Sequence, residues 1–219
     1  MTNPDGGAIR AVLYDFDGTL ADSTELIMRC YRHTMATHLG QAPPDEEWLR
    51  GFGTPLETQI ARFARTPAEQ QAMLATYREH QDELHDTLVR PFPGAVETVA
   101  ELERRGVALA LVTSKLRRGT LRGMDLCGLT RHFPVIITPE DVRSPKPHPE
   151  PVLAALERLG VDASETLFVG DSPHDLVSGR EAGTRTAAAL WGPFPRAALL
   201  AERPDVLLER QEDVLALIG

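Results

Sequence analysis

After residue 94 the chain settles into an alternation that leaves few folds open. A helical pattern over 95–105 stops at Gly106 and a β-rich run follows over 107–112. The pair then recurs as helix 116–127 with strand 135–138, helix 149–159 with strand 166–169, and helix 175–182 with strand 185–190. Strands separated by helices join through right-handed crossovers into a parallel sheet. One more strand stands far upstream, over 9–16, apolar except for Arg10. The stretch between is different. From 21 to 89 apolar residues recur only at helical spacing, as in Leu26, Ile27, Cys30, Tyr31, Met35 and Leu39, then Leu56, Ile60 and Phe63, then Met73, Leu74, Tyr77, Leu84 and Leu88. Asp22-Ser-Thr-Glu25 has capping-box character, Gly40 with Pro43-Pro44 ends the first of these helices, and Pro91-Phe-Pro-Gly94 marks a turn-rich boundary. The expectation is an α/β core formed by 1–20 and 90–219, interrupted after its first strand by an all-helical insert over 21–89.

In a parallel sheet of this kind ligands sit beyond the carboxyl ends of the strands, and that is where the chemically useful residues fall. The first strand runs into Asp15-Phe-Asp17-Gly-Thr19. The strand after the insert ends in Thr113-Ser-Lys115. The next is followed by Ser144-Pro-Lys146-Pro, and the fourth by Gly170-Asp171-Ser-Pro-His-Asp175. Carboxylates gathered in one crevice repel unless a cation neutralises them, and oxygen-only ligands favour a hard ion such as Mg2+. Asp15 and Asp171 suit direct ligation, the main-chain carbonyl of Asp17 could add a third oxygen, and Asp175 acts directly, through water, or by orienting the others. An aspartate can attack phosphorus to give an aspartyl-phosphate. Asp15 is read as that nucleophile and Asp17 as general acid/base. Lys146 and the Thr113 hydroxyl are read as offsetting phosphoryl charge, beside Ser114, and Gly18 as allowing close backbone approach. A calcium hand is excluded, because the twelfth position from Asp15 is Leu26 where a bidentate Glu is required.

Composition narrows the partners. The formal net charge of −9 argues against a nucleic-acid backbone, while a local cationic site still admits a small anionic substrate. No apolar run approaches the ~20 residues that span a bilayer, and the polar, Gly-rich residues 1–7 do not read as a secretory signal, so a cytoplasmic protein is expected. Cys30 and Cys127 have no metal-ligand spacing and are expected as buried thiols. Only Lys115 and Lys146 are lysines among 23 basic residues, so any step needing an ammonium has two candidates.

The four strand-end motifs resemble those of the haloacid dehalogenase superfamily: Asp15-Phe-Asp-Gly-Thr-Leu20, Thr113, Lys146 and Gly170-Asp171-Ser-Pro-His-Asp175. The resemblance covers the whole chain. It implies a Rossmann-like core with strand order 5-4-1-2-3, a helical cap at 21–89 that closes over the site, and Mg2+ as cofactor. Asp at position 17 favours phosphoryl transfer over dehalogenation, and the absence of lysine from 21–89 disfavours a Schiff-base phosphonate hydrolase. Glu83-Leu-His-Asp-Thr-Leu-Val89, Thr113-Ser-Lys-Leu-Arg117, Lys146-Pro-His-Pro-Glu-Pro151 and Ala189-Leu-Trp-Gly192 are similar to the phosphoglycolate phosphatase and bacterial pyrophosphatase branch. The implied activity is hydrolysis of a small phosphomonoester or of pyrophosphate by a monomer or homodimer. A sugar-phosphate mutase and a non-catalytic phosphate- or metal-binding protein of the same fold are the alternatives. Arg50, in a segment resembling a cap specificity loop, is a candidate for a distal anionic group of the substrate, and Lys115 and Arg117 for the rim. The histidines, His80, His85, His132, His148 and His174, are weak candidates, and Trp48 and Trp191 read as packing residues.

Overall fold

Helices on both faces of one sheet organise the chain. A computed structural model describes residues 8–218; the reading of residues 1–7 as lacking a secretory signal lies outside the described residues. In order, the elements are β1 (Ala11–Tyr14), β2 (Ala21–Asp22), α1 (Thr24–Leu39), α2 (Asp45–Leu49), α3 (Leu56–Ala61), α4 (Pro67–Leu88) and β3 (Arg90–Pro91). There follow α5 (Ala95–Arg104), β4 (Ala108–Val112), α6 (Arg117–Leu126), β5 (Val135–Ile137), α7 (Glu150–Leu159), β6 (Thr166–Gly170), α8 (Pro173–Glu181), β7 (Arg185–Ala189), α9 (Arg196–Ala201) and β8 (Val206–Leu208).

β1 reads Ala-Val-Leu-Tyr and all four residues are buried. A strand apolar at every position suits a sheet covered on both faces. Val12 and Tyr14 join one apolar cluster with Val99 and Leu102 of α5, and Leu13 joins another with Val152 and Leu156 of α7. The sheet order is β5-β4-β1-β6-β7-β8, with every neighbouring pair parallel. Its first five core strands taken in chain order give 5-4-1-2-3, as the resemblance implies, and β8 extends the sheet beyond β7. β8 and α9 were not expected from the sequence; α9 has only six residues, too few to show a helical period. The order reverses direction between β1 and β6, and the crevice at their carboxyl ends is the place where such sheets bind ligands.

Between β2 and β3 the described structure is helical. An aromatic stack fills this segment's interior, with Tyr31 4.8 Å from Trp48 and Trp48 5.8 Å from Tyr77. Thr66 caps α4 by accepting from the Glu69 N–H at 3.1 Å. Two expectations need correction. The stretch from 21 is not free of strand, because Ala21–Asp22 pairs antiparallel with Arg90–Pro91, Ala21 opposite Pro91 and Asp22 opposite Arg90. The capping box at 22–25 also does not form. Ser23 stands at the N-cap of α1 but makes no cap bond; its hydroxyl donates to Asp17 Oδ1 at 2.6 Å, a charge-assisted bond that outcompetes a neutral one. Besides the two strand connections, Arg118 and Arg122 of α6 reach Asp82 and Asp86 of α4, at 2.9 to 3.3 Å. Among the described residues no helix is long and apolar enough to cross a membrane.

Candidate active site

The loop after β1 sets the geometry. The Asp15 N–H donates to the Val169 carbonyl at 2.9 Å, which carries the β1–β6 ladder one residue past the strand. The chain then folds back: Leu20 and Ala21 donate to the Phe16 carbonyl, and Gly18 donates to Ala21. Gly18 has φ +86°, and a Cβ there would lie 2.4 Å from Asp171 Oδ2, so both the turn and the space demand glycine. Thr19 joins this loop to the rest of the site. Its hydroxyl donates to Asp171 Oδ1 at 2.7 Å, and its carbonyl accepts from Trp191 Nε1 at 2.9 Å and Gln211 Nε2 at 2.6 Å. Trp191 is therefore more than the packing residue expected.

Asp15, Asp171 and Asp175 converge, all buried, with one carboxylate oxygen from each within 4.8 Å of the others. Lys146 sits against two of them. Its Nζ donates to Asp15 Oδ1 at 2.8 Å, Asp175 Oδ1 at 2.6 Å and the Val112 carbonyl at 3.2 Å, so all three ammonium protons are committed within the protein. Asp175 Oδ2 accepts from the Ser172 N–H and hydroxyl, in a capping box that starts α8. Asp171 keeps one oxygen, Oδ2, buried with no hydrogen-bond partner.

Above this cluster lies a cavity of about 200 Å³ walled by both parts of the chain. Asp15, Asp17, Thr113 and Ser114 come from the sheet side, and Trp48, Phe52, Tyr77 and His85 from the helical side. Thr113 Oγ1 accepts from the Lys115 N–H at 3.2 Å, which leaves its own proton for an acceptor in the cavity. Asp17 accepts from Lys115 Nζ at 2.9 and 3.1 Å and from Ser23. Its carboxylate is not among the three that converge, so any part it takes in holding a cation falls to its main-chain carbonyl. Two rim candidates are not brought in. Arg50 follows the short α2, is exposed and is not on the cavity wall; its main-chain N–H donates to the Glu46 carbonyl at 3.2 Å. Arg117 turns away to pair with Asp141.

The chain matches the model of the haloacid dehalogenase-like hydrolases over residues 12–189. It belongs to that family. Pyrophosphatase PpaX of Bacillus pumilus is 40% identical over 211 residues, covering 96% of this chain and 97% of that one. Its counterpart in Oceanobacillus iheyensis is 37% identical over 212 residues, covering 97% and 98%. Among solved structures, CbbY from Rhodobacter sphaeroides in complex with phosphate superposes with TM-score 0.80 at 26% identity, over 96% of this chain and 99% of that one. A haloacid dehalogenase-like family hydrolase from Streptococcus pneumoniae gives 0.80 at 27%, over 95% and 97%.

The acidic cluster of this haloacid dehalogenase-like hydrolase fits a divalent cation. Its donors are all oxygens, one of them is orphaned, and the carboxylates strain against one another. Burial, opposed by Lys146 and reinforced by Asp175, pushes Asp15 up to about 7. Burial, with the charges of Asp175 and Asp15, holds Asp171 well above the usual carboxylate range. Burial alone would lower Lys146, but Asp15 and Asp175 raise it. A carboxyl whose folded-state value is raised binds its proton more tightly folded than unfolded, so its contribution to stability is complete below the ordinary value of 3.8 and is lost as pH climbs through about 7. The metal-free chain is accordingly expected to lose thermal stability across that window, and a bound divalent cation to restore it. Melting curves with chelator and with Mg2+ should diverge as pH rises from about 4 to about 7; parallel curves would contradict the cation site.

Several residues here carry no local signal in the sequence. Ser23, Trp191 and Gln211 act through single hydrogen bonds from distant positions, and no periodicity announces them. His85 was set aside with the other histidines, yet it is 2% exposed and on the cavity wall, with Nδ1 2.9 Å from Asp86 Oδ1. Burial, aided by Lys115 and Arg122 and opposed by the Asp86 hydrogen bond, lowers its titration. The cue in the sequence was its place on the inward face of α4, beside Leu84 and Leu88.

Proposed function

We propose that this hydrolase is a Mg2+-dependent phosphatase acting on a small anionic phosphate compound, inorganic pyrophosphate or a phosphoglycolate-like monoester, through an aspartyl-phosphate on Asp15. The observation that carries the reading is the meeting of Asp15, Asp17 and Thr113 on one small cavity directly above a buried acidic cluster. A cavity of about 200 Å³ falls below the ~300–1,000 Å³ of pockets that take drug-sized ligands, which supports a compact substrate. The names of the relatives at 37–40% identity support pyrophosphate within that class.

The chain's own groups divide the work. An Asp15 carboxylate oxygen bonds to phosphorus as the bond from phosphorus to the leaving oxygen breaks, and the electron pair departs with that oxygen. Asp17, in its protonated form, gives its proton to the leaving oxygen and then takes one from the water that hydrolyses the acyl phosphate, so phosphate is released and both Asp15 and the acid form of Asp17 are regenerated. The Thr113 hydroxyl donates to a phosphoryl oxygen. Lys146 fixes the direction of the Asp15 carboxylate through Oδ1. Mg2+ held by Asp15 and Asp171, with Asp175 braced behind them, supplies the positive charge that lets an anionic phosphoryl approach buried carboxylates. The helical segment 21–89 serves as the cap that excludes water, in a cytoplasmic protein.

The test is phosphate release with and without Mg2+ from pyrophosphate, phosphoglycolate, hexose phosphates and nucleoside monophosphates. One substrate should dominate and depend on Mg2+; isomerised product without phosphate would instead mark a mutase. Asp171→Ala should raise the Mg2+ concentration for half-maximal activity at least ~10-fold, and an unchanged titration would remove Asp171 from the metal shell.

A further inference from the structure

Asp17 is not free to meet a substrate. Both its oxygens are held by Lys115 Nζ, at 2.9 and 3.1 Å. The Lys115 side chain is 9% exposed and lies on the wall of the same cavity as Asp15 and Thr113. Its path is built into α6, where a Cβ on Gly119 would come within 3.2 Å of Lys115 Cε. The stem runs through the space that glycine leaves, and the ammonium sits 5.8 Å from the centre of the Phe16 ring. The other cations on the wall are engaged away from Asp17. Arg78 pairs with Glu57, Arg118 with Asp82, and Arg122 with Asp82 and Asp86. Among the described residues Lys115 has no carboxylate partner besides Asp17.

Such a pair is an obstacle for some substrates and an aid to others. A leaving oxygen that is to reach Asp17 must displace Lys115. If that oxygen carries only a neutral group, the displaced ammonium is left without a carboxylate partner in a partly enclosed cavity, which is unfavourable. If it carries a second anionic group, the ammonium exchanges one charge-assisted bond for another. A lysine suits the exchange, being a compact point charge with three donors on a flexible stem.

We propose that Lys115 is a shared cation: bonded to Asp17 in the empty site, it passes to the second phosphoryl of an inorganic diphosphate and so releases Asp17 to the bridging oxygen. This rests on the phosphatase reading above and adds to it a specificity-determining residue, one that selects substrates with a second anion adjacent to the bridging oxygen.

The test compares wild type with Lys115→Met, which keeps the length of the stem and removes the charge, after melting curves have established that the variant folds. The substrates are pyrophosphate, phosphoglycolate and 2-hydroxyethyl phosphate, whose remainder is neutral. For pyrophosphate kcat/KM should fall on the order of 10²-fold, with much of the loss in KM. For 2-hydroxyethyl phosphate it should rise, since the ammonium that must be displaced from Asp17 is gone and there is no second anion to lose. Phosphoglycolate, with its carboxylate set farther from the bridging oxygen, should lie between. Equal losses on all three would overturn the sharing and leave Lys115 a residue that only orients Asp17; no loss on pyrophosphate would overturn it outright. Calorimetric binding of pyrophosphate in Mg2+, compared between Asp15→Asn and Asp15→Asn/Lys115→Met, should show at least ~10-fold weaker binding without the lysine. This arm needs no turnover. Lysine-dependent binding in a chain that releases no phosphate would keep the inference and sink the phosphatase reading, while phosphate release with lysine-independent binding would do the reverse.

Discussion

Asp15→Asn is expected to reduce phosphate release by at least ~10³-fold while leaving a folded protein. Asparagine preserves the shape of the side chain, and its oxygen can still accept from Lys146, but it cannot form an acyl phosphate. The fold should survive for a reason visible in the cluster. Asp15 is 3% exposed, and burial outweighs Lys146 in pushing it up to about 7. Removing its charge relieves the repulsion with Asp175 and Asp171, and Lys146 retains Asp175 at 2.6 Å. Above pH ~7 the metal-free variant should therefore melt no lower than metal-free wild type, and the gain from added Mg2+ should be smaller. Turnover within about 10-fold of wild type would remove Asp15 as the nucleophile.

Lys146→Met carries the largest expected cost to stability. The ammonium is 2% exposed and bridges two carboxylates that are themselves buried. Deleting one member of a buried ionic cluster typically costs ~3–5 kcal/mol, because the remaining charges have neither water nor partner. For a chain of this size that corresponds to a fall in Tm of roughly 6–20 °C. Two further measurements identify the cause. Saturating Mg2+ should recover part of the loss, since a cation in the cluster opposes the same carboxylates. The double variant Lys146→Met/Asp175→Asn should melt higher than Lys146→Met alone, because the two sites are in direct contact and their effects are not additive. An unchanged Tm in the single variant would mean that the cluster is not held together by this lysine.

How much of this was legible from the residues depends on the reach of each signal. The sheet was legible because its core strands carry consecutive apolar residues and the first five are separated by helical patterns; 107–112 and 185–190 in the sequence become Ala108–Val112 and Arg185–Ala189 in the structure, while Val206–Leu208 is equally apolar but follows only the six-residue α9. The members of the site were legible for a related reason: strand ends in a parallel sheet share one edge, so Asp15, Thr113 and Asp171 had to be neighbours once their strands were. Lys146 reaches the same edge from a loop, and its bonds to Asp15, Asp175 and the Val112 carbonyl depend on contacts between distant segments that no local pattern marks. The Lys115–Asp17 pair spans 98 residues and depends on a vacancy at Gly119 that no local pattern marks. Asp22-Ser-Thr-Glu25 misled because it has the spacing of a capping box, and nothing local reveals that the helix caps one residue later at Ser23, whose hydroxyl a distant carboxylate claims. Arg50 stands in a glycine-rich segment at the surface and off the cavity wall, a placement that no local pattern decides.

The ladder between Ala21–Asp22 and Arg90–Pro91 bears on how such a chain can change over generations. The polypeptide leaves the sheet and returns to it at points one strand spacing apart, so the helical segment between them is closed off by two paired residues on each side. The entropy of closing a loop grows only with the logarithm of its length, about 0.6 kcal/mol for each doubling. A duplication confined to 23–89 would thus leave β1 and β4 in register at a small cost in loop entropy. Selection can remodel the roof of the cavity, and with it the range of molecules admitted, while the acids on the floor stay where they are.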